Sequence, residues 1–309
     1  MIARLRARRA TVLGLLAILL WSTTVALGRD VIERTGLLVG GALIFSGAGV
    51  ISLAVVALRE KGCGWLRHLS VQHLVVCGPL FVGYLCLLYL ALGLARSRTD
   101  AVVAGLINYL WPSMILVFSV LILKERAYKL RLGMGLFLAL AGVALATTGE
   151  LEGPRAVLGA VVNSPTAMGC ALAASLLWGL YSVLTRRLPQ ALPSGAVALF
   201  LLLTGGILAL AAGDTWRQVV WHPMTLLRVL YMAVFPTSLA YSLWDVAMRS
   251  GDVPLLGAAA NVTPILATLI GGLILRVPLG WTLLLGAVLV GTGSFVARFA
   301  FRRPGASPP

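Results

Sequence analysis

The sequence predicts an all-α membrane protein of ten transmembrane helices, arranged as two inverted five-helix repeats. Three observations lead there. Of the 309 residues, 60% are hydrophobic and only 11% are charged, with a mean hydropathy of +0.97, far outside the range of a soluble domain of this length. Ten apolar runs of about 18 to 25 residues, the helix length that crosses ~30 Å of hydrocarbon, use nearly the whole chain and leave no room for a soluble catalytic domain. The second half of the chain also repeats features of the first at a nearly constant offset.

Taken in order, the first run (10–28) follows a basic start, Arg4, Arg6, Arg8 and Arg9. A basic start before an apolar run also suits a signal peptide. Trp21 inside the run, and no small-x-small cleavage site after it, make a retained helix the expectation. The second run (37–58) carries Gly40, Gly41, Gly47 and Gly49, and the seventh (194–213) Gly205 and Gly206, as packing or hinge positions. The third (70–95) holds Tyr84 and Tyr89. The fourth (99–123) contains Asn108-Tyr109-Leu110-Trp111-Pro112, and the fifth (131–149) Gly135 and Gly142. Residues 150–164 read as a polar linker on the outer side. The sixth run (165–186) holds Trp178 and Tyr181, the eighth (226–249) Tyr241, Trp244 and Asp245, and the ninth (253–275) Asn261 and Pro264. The tenth (280–299) holds Gly286 and Gly293. The Trp-rich connection 213–226 suits the headgroup region. The chain thus divides into a first repeat (1–149), the linker (150–164), a second repeat (165–299) and a short disordered tail (300–309).

The repeat rests on three helix pairs. Ala17 to Arg29 and Ala174 to Arg186 share a Leu-Leu-Trp pattern at an offset of 157. Asp100, Gly105 and Pro112 reappear as Asp252, Gly257 and Pro264 at an offset of 152, and a seven-residue glycine spacing recurs in the fifth and tenth runs. Five is an odd number of helices, so the second copy enters the membrane from the opposite side. Inverted repeats of this kind characterise secondary transporters.

Charge fixes the expected orientation. With Lys and Arg assigned to alternate sides, seventeen fall on the side of the N-terminus and eight on the other. Both termini are therefore expected in the cytoplasm, and the net charge of +15 is a topology signal rather than a nucleic-acid surface. Cys63, Cys77, Cys86 and Cys170 are scattered, without metal spacing or a disulfide framework. His68, His73 and His222 lie in or near predicted loops and read as surface or interfacial residues.

Near the expected midplane fall Trp21, Tyr84, Tyr89, Asn108, Trp111, Pro112, Trp178, Tyr181, Tyr241, Trp244, Asn261 and Pro264. Trp and Tyr normally gather at membrane surfaces, where their polar tips stay hydrated. A carboxamide, buried hydroxyls and a helix breaker at that depth need other helices or a wet cavity to satisfy them. Together they point to a central cavity with aromatic walls. Asp245 is the one acid inside a span away from its ends, a candidate for binding an ammonium group or a proton, or for pairing with Arg249. No nucleotide, zinc or nucleophile motif is present, so neither enzyme, cofactor nor metal is expected.

The Leu20-Trp21-Ser22-Thr23 run, Tyr84, the Asn108-Tyr109-Leu110-Trp111-Pro112 string and Thr263-Pro264 resemble the drug/metabolite transporter superfamily, EamA branch, and within it the bacterial aromatic amino-acid exporters. The resemblance spans nearly the whole chain. It implies a protein of the bacterial inner membrane that moves aromatic amino acids by alternating access, with lipid around it, no nucleic-acid partner, and a monomer as one open oligomeric state. Family members commonly carry a Glu after both the fourth and ninth helices. Glu125 matches the first, but Val277 stands at the second. On this reading Tyr84, Tyr109, Trp111, Trp178 and Tyr241 box an aromatic side chain, Asn108 and Asn261 bond the head group, and Pro112 and Pro264 break the moving helices. Export of cationic drugs, with Asp245 as counter-charge, is the rival, and a lipid-modifying membrane enzyme the rival from another class.

Overall fold

The computed structural model describes residues 2–148, 154–188, 195–219, 221–275 and 281–301. Each of the ten predicted runs is helical there, and the described residues hold no sheet, only an isolated bridge between Ala127 and Phe301. A helix pairs its own backbone groups, which is what a chain surrounded by lipid requires. Six described helices are long and apolar enough to cross a membrane: Leu37–Arg59, Val71–Leu94, Thr99–Leu121, Pro165–Arg187, Ala196–Gln218 and Pro223–Ser250. The chain is a multi-pass membrane protein.

The first run is α1 (Ile2–Ser22), continued after a turn at Thr23 by α2 (Thr24–Thr35). Three consecutive hydroxyls cause the turn. Ser22 Oγ donates to the carbonyl of Ile18 at 2.9 Å, Thr23 Oγ1 to that of Leu20 at 2.8 Å and Thr24 Oγ1 to that of Trp21 at 2.7 Å. Such back-bonding competes with the backbone ladder and bends helices. Next come α3 (Leu37–Arg59) and α4 (Val71–Leu94), linked by a 3-10 turn at Cys63–His68. The fourth run is broken into α5 (Arg98–Asn108) and α6 (Trp111–Leu121), because Pro112 lacks the N–H that would bond the carbonyl of Asn108. After α7 (Lys129–Thr148), α8 (Pro154–Asn163), α9 (Pro165–Arg187) and α10 (Ala196–Ala212), the eighth run is α11 (Pro223–Met232), a π-helical stretch over Ala233–Leu239 and α12 (Ala240–Ser250). The ninth divides into α13 (Val253–Ala260) and α14 (Thr263–Leu275), and α15 (Trp281–Ala300) ends the bundle.

The eighth helix is helical throughout Pro223–Ser250 but carries a π stretch over Ala233–Leu239 that contains Pro236, a kind of irregularity frequent near functional sites. Three expectations need correction. Part of the predicted linker forms α8, where Ala-Val-Leu-Gly-Ala-Val-Val has enough apolar surface to pack on its neighbours. Phe301, assigned to a disordered tail, is buried, and the Tyr128 N–H donates to the carbonyl of Ala300 at 2.9 Å. His73 is no surface residue: it is fully buried in α4 and stacks on Phe200 with ring centroids 6.0 Å apart. The position of Val277 and residues 302–309 lie outside the described residues.

Packing follows a pattern of exchanged partners. Helix α4 packs on α9 and α1 on α12; α5 and α6 lie on α9, while α13 and α14 lie on α1; α3 pairs with α10 and α7 with α15. The α7–α15 contact uses the predicted glycines. A Cβ at Gly142 would sit 2.6 Å from the Val290 nitrogen and 2.7 Å from the Gly286 oxygen, so the two backbones touch where both lack side chains. Lipid offers no hydrophobic drive between helices, and close backbone approach supplies packing instead.

Candidate functional site

Where α1, α4, α9 and α12 meet the broken fourth and ninth helices, aromatic rings fill the centre. Trp21 lies in the middle: its ring centroid is 6.0 Å from Trp111, 5.8 Å from Trp178, 5.3 Å from Tyr241 and 5.2 Å from Trp244. Tyr84 approaches Trp178 at 4.7 Å, and Trp178 stacks on Tyr181 at 5.1 Å. Most of these pairs are edge-to-face or tilted, as ring quadrupoles prefer. Two of the residues pair with partners at the same sequence offset. Trp21 and Trp178 are 157 positions apart, and so are Tyr84 and Tyr241, whose side chains are neighbours.

Above this cluster lies a cavity of about 280 Å³. Eight residues singled out from the sequence line it: Trp21, Tyr84, Tyr89, Asn108, Tyr109, Trp111, Trp178 and Tyr241. The helix break explains how Asn108, Tyr109 and Trp111 all reach it, for a regular helix turns ~100° per residue and would point them to different faces. At the break, the C-terminal end of α5 and the first residue of α6 turn toward the same space.

Six other candidates stand outside the cavity wall. Trp244 is fully buried behind Trp21, and its indole N–H donates to Ser182 Oγ at 3.1 Å. Tyr181 is buried on the same side, below Trp178. Asn261 occupies the turn between α13 and α14, where its Nδ2 donates to the carbonyls of Gly257 and Ala258, both at 3.3 Å. Pro112 and Pro264 are buried at the second positions of α6 and α14. Asp245 is 3% exposed and bound by both arms of Arg249, Nε to Oδ2 and Nη2 to Oδ1 at 2.8 Å each. That bidentate, charge-assisted pairing balances the carboxylate's charge internally.

Sequence reasoning missed Phe45, Met232, Pro236 and Thr237, which also line the cavity, and named Thr263 only as part of the Thr263-Pro264 string without a place in the wall. Two signals were available. Pro236 stands 157 positions after Pro79, and Thr263 stands 152 after Trp111, the offsets of the repeat. Nothing in the sequence marked Phe45 or Met232, ordinary apolar residues in apolar helices. Among the described residues the wall carries no acid, Lys, Arg or His. Its polar atoms include the Trp21 Nε1, Asn108 Oδ1 and Thr263 Oγ1, all buried and without a hydrogen-bond partner among the described residues. Buried polar atoms left unpaired cost free energy that a change of partner or shape recovers.

Comparison with known proteins gives one answer. The family described as "EamA-like transporter family" matches residues 8–148 and again residues 165–299. The aromatic amino acid exporter YddG of Salmonella typhimurium is 31% identical over 297 residues, 96% of this chain and 99% of that protein. The protein of the same name from Escherichia coli is 30% identical over 96% of this chain and 99% of its own length, and that from Ancylobacter novellus 32% over 95% and 98%. A solved crystal structure superposes with a TM-score of 0.78 at 29% identity, covering 96% of this chain and 99% of the other. The expectation of a carrier rather than an enzyme agrees with what these relatives are named. On two matches that together cover most of its length, the chain belongs to the EamA-like transporter family.

Proposed function

We propose that the protein exports aromatic amino acids across the bacterial inner membrane, by alternating access around the aromatic cavity. The observation that carries the reading is the wall itself: eight aromatic rings, seven of them on six helices and Tyr109 at the break after α5, with the carboxamide of Asn108 among them and no charged side chain among the described residues. Small-molecule sites usually enclose ~300–1,000 Å³, so a space of about 280 Å³ suits a solute of single amino-acid size. An aromatic pair contributes only ~1 kcal/mol, so binding is weak, on the order of millimolar to tens of micromolar. Weak binding suits a carrier that has to release its load.

The architecture behind this proposal is two five-helix repeats of opposite orientation, 1–149 and 165–299, with both termini in the cytoplasm. Three observations support it: the family match falls separately on the two halves, the breaks at Tyr109–Leu110 and at Asn261–Val262 are 152 positions apart, and the main packing contacts, α4 on α9 and α5–α6 on α9, recur with partners exchanged as α12 on α1 and α13–α14 on α1. Two halves of one design, oppositely inserted, have inward-facing and outward-facing arrangements of similar energy. Cationic drug export needs a free acid at the cavity, whereas Asp245 is paired to Arg249 and stands outside the wall.

Growth of cells expressing the protein on toxic analogues of Phe or Trp, followed by flux of labelled Trp from liposomes with and without a pH gradient, tests the proposal. Protection and flux support it. If Trp111→Ala and Trp178→Ala both transport like wild type, the aromatic wall has no part in it.

A further inference from the structure

A buried ion pair, Asp245 with Arg249, and the buried imidazole of His73 lie together at one end of the helices that carry the cavity wall. Helix α4 runs from His73 through Tyr84 to Leu92, and the chain from Met232 through Tyr241 to Arg249 runs against it. Leu92, Tyr84, Met232 and Tyr241 line the cavity. His73, Asp245 and Arg249 lie the other way, with Arg249 eight residues past Tyr241 and therefore ~12 Å along the axis. Arg249 holds Asp245 through two bonds of 2.8 Å, approaches His73 Nε2 at 3.1 Å and donates to the carbonyl of Thr185 at 3.5 Å. One guanidinium thus ties α4, α9 and α12, the helices that supply Tyr84, Trp178 and Tyr241. Beside it, Arg186 Nη1 donates to the carbonyl of Gly251 at 2.8 Å.

We propose that Arg249, with Asp245 and His73, is a latch that keeps this end of the bundle shut while the cavity faces the other end, and that it opens once in each transport cycle. Arg249 acts here as a positioning residue, since it touches no part of the cavity wall. The arrangement fits a latch better than a permanent brace. A buried ion pair contributes little net stability compared with apolar residues of the same size, yet three helices that have to separate for access at this end all meet at one side chain. Its bonds to α4 and α9 are the longer ones, 3.1 and 3.5 Å, against 2.8 Å within α12, so Arg249 and Asp245 stay paired and move together when those helices part. The inference rests on the alternating-access part of the proposed function but not on the identity of the solute.

The chain carries its own reporter. Cys77 lies one turn past His73, is fully buried, and accepts from Thr185 Oγ1 at 3.8 Å. It is reached only when α4 and α9 part near the latch. With Cys63, Cys86 and Cys170 replaced by Ser, the full-length protein in liposomes is treated with N-ethylmaleimide and labelling of Cys77 is followed in time. Adding Trp under exchange conditions is expected to speed labelling about tenfold, and Arg249→Gln to speed it about tenfold without Trp, the size of a one-decade rise in the open population. Arg249→Lys, which keeps the charge but not the fork, should fall between. A fully buried control at the opposite end of α4, Ala91→Cys, should stay slow throughout.

Unchanged labelling in Arg249→Gln overturns the proposal, and so does equal acceleration at Cys77 and at the Ala91→Cys position, which reports general unfolding. Fast Cys77 labelling in Arg249→Gln with no Trp flux in the wild type upholds the latch and refutes the solute instead.

Discussion

Trp178 and Trp244 allow packing to be separated from binding, because both are indoles buried in one cluster and only one borders the cavity. Trp178 is 1% exposed, ringed by Trp21, Phe81, Tyr84, Trp111, Tyr181 and Tyr241 at 4.7 to 6.3 Å, and lines the cavity. Trp244 is 0% exposed, touches Trp21 and Trp111, and donates to Ser182 Oγ. Truncating a buried Trp to Ala costs ~3–5 kcal/mol, and the smaller change to Phe about 1–2 kcal/mol. Trp244→Phe also leaves Ser182 without its donor, about 1 kcal/mol more. The expected order of stability, read by denaturation of the purified protein in detergent, is therefore wild type, then Trp178→Phe, then Trp244→Phe. The order of transport is the reverse for the two variants. Trp178→Phe loses a wall contact of ~1 kcal/mol, which raises the KM for Trp about fivefold, whereas Trp244→Phe keeps a near-normal KM in the protein that remains folded. If the two variants change KM equally, or if Trp244→Phe changes it more, the cavity is not where the solute binds.

Three more outcomes follow from the geometry. Gly142→Val forces a side chain onto the backbone of Val290 and Gly286, so the α7–α15 contact has to open. A loss of ~2–3 kcal/mol is expected, seen as a lower denaturation midpoint, whereas Gly206→Ala, with open space around its Cβ position, should sit near wild type. Asp245→Asn leaves Arg249 buried and unpaired at a cost of ~3–5 kcal/mol; the Asp245→Asn/Arg249→Gln double variant should recover at least half of it, as a double-mutant cycle on the same denaturation assay would read. Asp100 is 3% exposed and its Oδ2 accepts from Ser164 Oγ at 2.6 Å near the start of α5. Asp100→Ala should cost ~1–2 kcal/mol, through the lost bond and the lost charge at a helix N-terminus, and Asp100→Asn about half as much.

What the sequence determined by itself was everything that depends on local chemistry and on length. Runs of apolar residues long enough for hydrocarbon became helices, because lipid leaves the backbone no other partner than itself. Pro112 and Pro264 broke their helices at the expected places, since a missing N–H acts on the carbonyl one turn before it in any surroundings. The aromatic residues at mid-span were legible as a group, because rings with polar tips are out of place in lipid and had to face one another or a cavity. Tertiary structure alone decided how that group divides. Tyr84, Asn108, Trp111, Trp178 and Tyr241 reached the wall, and Tyr181, Trp244 and Asn261 stayed behind it. The difference is the rotation of each helix about its own axis, which close contacts such as Gly179 against Met114 and Gly257 against Leu116 fix through packing. His73 shows the same limit from the other side: beside a loop in sequence, it is carried into the interior because α4 starts two residues earlier and Arg249, 176 positions away, comes to meet it.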